Sequence, residues 1–149
     1  MSMARRLADF AIRPLATAAN KVRRTLRRRG KVSGSGGHAI ALTQEGRIVL
    51  VKLRYAPGWR LPGGGRGEAE SLYDVALREL REEIGMTGHG PVRALPAIDP
   101  SLVLVEEVTY APRRWSWEVE RIVEADLDAL PPGMSPLARR WIAAFRRLE

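Results

Sequence analysis

With 149 residues, 45% of them hydrophobic and 28% charged, the chain has length for one buried core and too little for two full domains. It contains no cysteine, which excludes a disulfide framework, a thiol nucleophile and any thiolate-held zinc or iron–sulfur centre, and leaves oxygen and histidine as metal donors. The net charge of +8 is unevenly spread: residues 1–31 hold ten Lys/Arg against Asp9 alone, a net of +9, whereas the other 118 residues net −1.

Within that basic leader, Leu7, Phe10, Leu15, Ala18, Val22 and Leu26 recur at steps of three to five around Pro14, which predicts a basic amphipathic segment. Its candidate partners are an anionic membrane surface or nucleic acid, the first ranked higher because no aromatics interleave its arginines; a positively charged organellar presequence is a further reading. No apolar run approaches the ~20 residues that span a bilayer, and no secretory signal is visible, so the expected location is cytoplasmic, membrane-peripheral if the leader binds lipid. Residues 32–37, rich in Gly and Ser, read as a linker, which places the folded domain at 38–149.

His38–Thr43 and Ile48–Leu53 are β-branched-rich runs around Gln44-Glu45-Gly46-Arg47 and predict a hairpin. Residues 54–67 are Gly- and Pro-rich, a loop whose backbone can approach a ligand closely. Ser71 with Asp74 forms an acidic capping box, and Gly85 supplies a stop, so a helix is predicted over 71–84. Strands are expected at 91–97, 102–110 and 117–123. Ser135-Pro136 then opens a C-terminal helix with Leu137, Trp141, Ile142, Phe145 and Leu148 as its apolar stripe. This order makes an α/β domain with a mixed β-sheet between helices.

Chemistry concentrates on the first helix, in Arg78-Glu79-Leu80-Arg81-Glu82-Glu83. At 100° per residue Glu82 and Glu83 lie about 60° behind and 40° ahead of Glu79, so the three carboxylates share an arc of roughly 100°. Ala76, Leu77, Leu80 and Ile84 occupy the adjoining arc and anchor the helix. Like charges at these spacings repel by a few tenths of a kcal/mol per pair, and a hard divalent cation would offset that. Arg78 and Arg81 offer a second way to relieve an ordinary solvated acidic face.

Spacing to the glycine loop separates the two readings. Gly64, five residues, Glu70, seven residues, Arg78-Glu79-Leu80, one residue, Glu82-Glu83, one residue, Gly85-Met86 reproduces the signature of the Nudix hydrolase (MutT-like) family, with Leu61-Pro62-Gly63-Gly64-Gly65 as its usual lead-in. The chain resembles that family over residues 61–86. The resemblance implies an α/β/α sandwich and a hydrolase that cleaves the pyrophosphate bond of a nucleoside diphosphate linked to another moiety. It implies Mg²⁺ or Mn²⁺ held by Glu79, Glu82 and Glu83, with the Gly64 carbonyl completing the shell and Glu79 an alternative candidate for the base. Arg78 would orient Glu79, and Glu70 would support the loop–helix junction. A further acid from a later loop is expected, Glu118 first, then Glu120, with Glu106 and Glu107 behind them. Arg54, Tyr55, Trp59 and Arg60 are candidate substrate contacts, Trp59 equally a packing residue beneath the loop. His38 and His89 sit in no catalytic or metal-binding pattern. The alternative is a non-catalytic nucleotide-binding module of the same fold, tethered by the leader. Markers tied to substrate subgroups are missing: Leu102 stands where ADP-ribose hydrolases carry proline, and the tyrosine of diadenosine-polyphosphate enzymes and the upstream motif of coenzyme A hydrolases are absent. Nucleotide sugars, ADP-ribose, oxidised nucleoside triphosphates and capped RNA ends stay open.

Overall fold

The computed structural model describes residues 36–149; the expected amphipathic leader lies outside the described residues. In chain order the elements are β1 (Gly37–Ala41), β2 (Ile48–Leu53), β3 (Trp59–Arg60), β4 (Gly63–Gly64), α1 (Leu72–Ile84), β5 (Met86–Gly88), β6 (Val92–Ala94), β7 (Leu102–Val105), β8 (Thr109–Tyr110), β9 (Val119–Ala125) and α2 (Pro136–Leu148). They form a four-stranded sheet in the order β4-β1-β7-β6, a three-stranded sheet β3-β2-β9 and a two-stranded ribbon β5-β8. β1 and β7 run parallel, with His38 opposite Leu102, while β1–β4, β2–β9 and β6–β7 are antiparallel. The mixed sheet of an α/β domain is therefore present.

Period-2 alternation sorts the strands into two cores. Ala39, Ala41, Val49, Val51, Val103 and Val105 pack with Ala76, Leu80 and Ile84 of α1. Their neighbours Ile40, Ile48, Leu50, Leu102 and Leu104 pack with Ala138, Trp141, Ile142 and Phe145 of α2. Each central strand is covered on both faces, which is why these runs read as almost continuously apolar.

The strand order corrects the expected hairpin. Thr43 N–H donates to the Arg47 carbonyl, Gly46 takes a φ of 75° at the turn, and Leu42 bridges Ile48. Beyond this turn the strands part: β1 joins β4 and β7, and β2 joins β3 and β9. Each strand thus takes both of its neighbours from elsewhere in the chain instead of pairing along its length across the turn.

The run 102–110 is likewise interrupted. Glu107 has a φ of 52°, which ends the pleat after Val105 and lets Thr109–Tyr110 pair with β5 instead. The strand expected at 91–97 contracts to Val92–Ala94, and that at 117–123 shifts to Val119–Ala125. Short strands β3 and β4 lie inside the expected loop 54–67. Gly36 and Gly37, at the end of the 32–37 stretch, are buried parts of the fold: a Cβ on Gly36 would lie 2.3 Å from the Gly64 carbonyl oxygen, and one on Gly37 would lie 2.4 Å from Val75.

Both helices carry the expected caps. Ser71 Oγ accepts from Asp74 N–H at 3.1 Å and Asp74 Oδ2 accepts from Ser71 N–H at 3.3 Å; Gly85 is left-handed at φ 70°. Ser135 Oγ accepts from Ala138 N–H at 3.3 Å, with Pro136 in the first turn. On α2, however, Leu137 and Leu148 are 43% and 55% exposed. They lie about 70–90° from the middle of the stripe formed by Ala138, Trp141, Ile142 and Phe145, at its margin rather than in it. Among the described residues no helix is long and apolar enough to cross a membrane.

Candidate active site

The three carboxylates of α1 do not share one environment. Glu79 and Glu83 are 3% and 5% exposed, while the Glu82 side chain is 42% exposed. Angular position explains the split: Glu79 and Glu83 lie nearer the Ala76–Leu80–Ile84 arc, and Glu82 lies at the outer edge. The alternative reading, an ordinary solvated acidic face, therefore describes Glu82 but not Glu79 or Glu83.

Glycine backbone covers the buried pair. Gly63 N–H donates to Glu83 Oε2 at 3.1 Å, and a Cβ added to Gly64 would stand 2.3 Å from Glu79 Oε1. The loop can therefore lie on the carboxylates only because these positions carry no side chain. β4 holds it there through pairing of Gly63 and Gly64 with His38 and Gly37. The Gly64 carbonyl lies against Gly36.

Arg78 fastens loop to helix. Its Nε donates to Glu70 Oε2 at 2.8 Å and its Nη2 to Glu70 Oε1 at 3.0 Å, a bidentate pair. Nη2 also reaches the Gly65 carbonyl at 2.8 Å, and Nη1 reaches Glu79 Oε1 at 3.0 Å and Glu82 Oε2 at 3.3 Å. Glu70 Oε1 in turn accepts from Gly67 N–H at 2.7 Å. The expected Arg78–Glu79 contact and the loop-supporting contacts of Glu70 are present. Two partners escaped sequence reasoning, the Gly65 carbonyl and the Gly63 amide, because backbone groups carry no residue signature.

Electrostatics follow burial. Arg78 hydrogen bonds hold the Glu70 carboxyl below its ordinary range. Desolvation pushes Glu79 up despite Arg78, with the charges of Glu82 and Glu118 adding to the rise. Glu83 is raised further, by desolvation first, then by Glu79, with Glu118 and Glu82 contributing. Glu118 therefore lies close enough to act on both buried carboxylates. It stands at the start of β9, where its carbonyl accepts from Arg54 N–H at 2.8 Å. Glu120 lines a cleft shared with Glu82 and Glu83. Glu106 and Glu107 are elsewhere, Glu106 beside Leu104 and Phe145 and Glu107 beside Gly90.

Among the described residues, no three His, Asp or Glu side chains stand ready as a metal-holding group. The donor chemistry nevertheless fits a hard cation: Glu79, Glu82, Glu83 and Glu118 offer oxygen alone, and two of them are buried carboxylates whose mutual charge opposes ionisation. Arg78 Nη1, between Glu79 and Glu82, supplies part of the needed positive charge.

Of the expected substrate contacts, Tyr55 and Arg60 line a cleft of about 550 Å³ with Gly63, Gly64 and Trp141. Arg60 Nε is buried and has no hydrogen-bond partner among the described residues. Arg54 lines a second cleft of about 210 Å³, beside Glu82 and Glu83. Trp59 lines neither; it packs against the α2-side core, with Arg121 5.9 Å from its ring centroid. Its backbone is tied to Gly133 and Ser135, with Trp59 N–H donating to the Gly133 carbonyl and Ser135 N–H donating to the Trp59 carbonyl. His38 stacks edge to face on Trp141 at 5.3 Å, and His89 Nδ1 bonds the exposed Gly90 carbonyl.

Comparison with known proteins places this geometry. The chain is 42% identical over 50 residues, 34% of each protein, to a candidate 8-oxo-dGTP diphosphatase of Bacillus subtilis (strain 168). It is 36% identical over 47 residues, 32% of this chain and 28% of the relative, to an RNA pyrophosphohydrolase of Hydrogenovibrio crunogenus. These matches span only about a third of each curated relative. The crystal structure of a MutT NUDIX hydrolase from Burkholderia pseudomallei superposes with a TM-score of 0.55 at 26% identity, covering 72% of this chain and 94% of that one. A family model described as the NUDIX domain matches residues 36–145. That match runs from the first described residue into the last turn of α2, and the chain belongs to the NUDIX domain family.

Proposed function

We propose that the protein is a hydrolase that uses Mg²⁺ or Mn²⁺ to cleave the pyrophosphate bond of a nucleoside diphosphate linked to another moiety. The observation that carries this reading is the pair Glu79 and Glu83, buried and raised in pKa beneath backbone that only glycine permits. A fold gains nothing in stability from burying two like charges together, so the arrangement is explained by what it binds. Family membership and the pyrophosphatase names of its relatives support the same reaction class.

In this reading Glu79, Glu82 and Glu83 hold the cation, and Glu118 is the further acid because it acts on both buried carboxylates. The Gly64 carbonyl has less support, since it packs against Gly36. When bound, the cation neutralises pyrophosphate oxygens and acidifies a water. Arg78 occupies Oε1 of Glu79 and orients it, which leaves Oε2 to face the cation; in the alternative role, Glu79 serves instead as the base for the attacking water through that same oxygen. Glu70 keeps Arg78 in place. Arg60, with its buried Nε, and Tyr55 bind substrate in the larger cleft, and Arg54 does so in the smaller. Trp59 is assigned to packing.

The test is nucleotide or phosphate release from a panel of nucleoside diphosphate derivatives with Mg²⁺ or Mn²⁺, for wild type and Glu83→Gln. Turnover that chelator and the substitution both abolish is the expected result. Turnover that survives both would overturn the reading.

A further inference from the structure

Among the described residues two clefts flank the contact between the glycine loop and the carboxylates. The larger is lined by Gly63 and Gly64 and the smaller by Glu82 and Glu83, so each holds one partner of the 3.1 Å Gly63–Glu83 hydrogen bond. Consecutive residues divide between them where β2 ends: Leu53 and Tyr55 line the larger, Arg54 the smaller. The larger has the size of a small-molecule site.

The loop between β8 and β9 walls the smaller cleft with Arg113, Arg114 and Trp115. Trp115 and Trp117 are 42% and 55% exposed, and neither belongs to a core cluster. Exposed indoles side by side mark a surface that meets a partner. Their rings contact edge to face with centroids 4.6 Å apart. Arg54 anchors the loop: its guanidinium carbon lies 5.9 Å from the Trp115 ring centroid, and its Nε donates to the Ser116 carbonyl at 2.9 Å. Trp115 is thus held on the wall of a cleft that also holds Glu82, Glu83 and Glu120, with Arg54, Arg113, Arg114 and Arg121 around it, and Trp117 lies against its ring.

Aromatic faces among guanidinium groups bind nucleobases by stacking and their phosphates by charge. Resting on the hydrolase reading, we propose that Trp115 and Trp117 form a stacking platform for a second nucleobase of the substrate. One base occupies the larger cleft, the linking phosphates cross Glu82 and Glu83, and the other base lies on the 112–117 loop. Such a base belongs either to the second nucleoside of a dinucleoside polyphosphate or to the leading nucleotides of an RNA 5′ end. A phosphate or sugar in its place would leave the indoles without a partner.

The test compares the full chain with Trp115→Ala/Trp117→Ala and Trp115→Phe/Trp117→Phe on three probes: a nucleoside triphosphate, a dinucleoside polyphosphate and a short 5′-triphosphorylated RNA. In the alanine variant, kcat/KM for a two-base probe should fall about ten-fold relative to that for the nucleoside triphosphate, mainly through KM, and phenylalanine should restore most of it. A loss confined to the dinucleoside probe or to the RNA identifies the source. An unchanged ratio, or a loss that phenylalanine does not restore, overturns the proposal. Tryptophan fluorescence in chelator gives a reading independent of turnover. Quenching by the two-base probes that the phenylalanine pair diminishes, without hydrolysis, would sink the hydrolase reading and keep the platform; hydrolysis without such quenching would do the reverse, and the absence of both would sink the two together.

Discussion

α1 and α2 have the same length, 13 residues, and cover opposite faces of the same central strands. α2 buries Ala138, Trp141, Ile142 and Phe145; α1 buries Val75, Ala76, Leu80 and Ile84, and with them Glu79 and Glu83. The α2 side shows what this sheet needs from a helix for stability, an apolar stripe and no more. The two acids on the α1 side are therefore an added cost, carried by glycine backbone and by Arg78, and the difference separates packing from chemistry within one small domain.

The largest contrast is expected on the α1 side. Glu83→Gln keeps an acceptor for Gly63 N–H and removes the charge, so kcat should fall on the order of 10³-fold while the fold persists, as steady-state kinetics and circular dichroism would show. A comparable loss of helix signal would erase the distinction between the two helices. On the α2 side, Phe145→Ala should cost about 3–5 kcal/mol in urea unfolding. Activity of its folded fraction should change little.

Arg78→Lys tests the tie between loop and carboxylates. An ammonium cannot reproduce the fork that grips Glu70 while reaching Gly65 and Glu79. Activity should drop about 10–100-fold, the range for residues that orient a metal's ligands, with a smaller effect on stability.

Melting temperatures sharpen the comparison further. Burial raises the folded-state pKa of Glu83, so the folded protein holds its proton to higher pH than the unfolded chain, and stability declines as pH rises from the ordinary carboxylate range through the folded value. In chelator at neutral pH, Glu83→Gln should accordingly melt about 2–4 °C above wild type. Added Mg²⁺ should stabilise wild type more than the variant. Glu70 carries the opposite sign: its pKa is lowered, so its contribution is present above the ordinary value near 4.5 and is lost as pH falls through the folded value. Glu70→Gln should flatten the acid limb of the melting curve, the smallest of these effects.

Much of this arrangement is legible without coordinates. Ser71, Asp74 and Gly85 bound α1 because capping is local chemistry, and Ser135-Pro136 opens α2 for the same reason. Spacing from Gly64 to Gly85-Met86 identifies the loop–helix unit through its match to the family signature, while helix periodicity alone gives the arc that the three carboxylates share. The pairing of β1 and β2 was not legible, because a tight turn at Gly46 is compatible with a hairpin and with two strands that part after it. Nor was the break at Glu107, where a single residue in left-handed backbone divides an apolar run.

Residue identity and spacing thus determined the family, the caps, the amphipathic faces and the acids proposed for the site, all of which depend on neighbours along the chain. Only the tertiary structure decided that Glu79 and Glu83 are buried while Glu82 is not, that Glu118 adds its charge to theirs, and that Trp59 turns inward while Trp115 and Trp117 stay in solvent. Those outcomes depend on groups brought from distant positions, and burial, which sets both pKa and packing, is a property of the assembled fold.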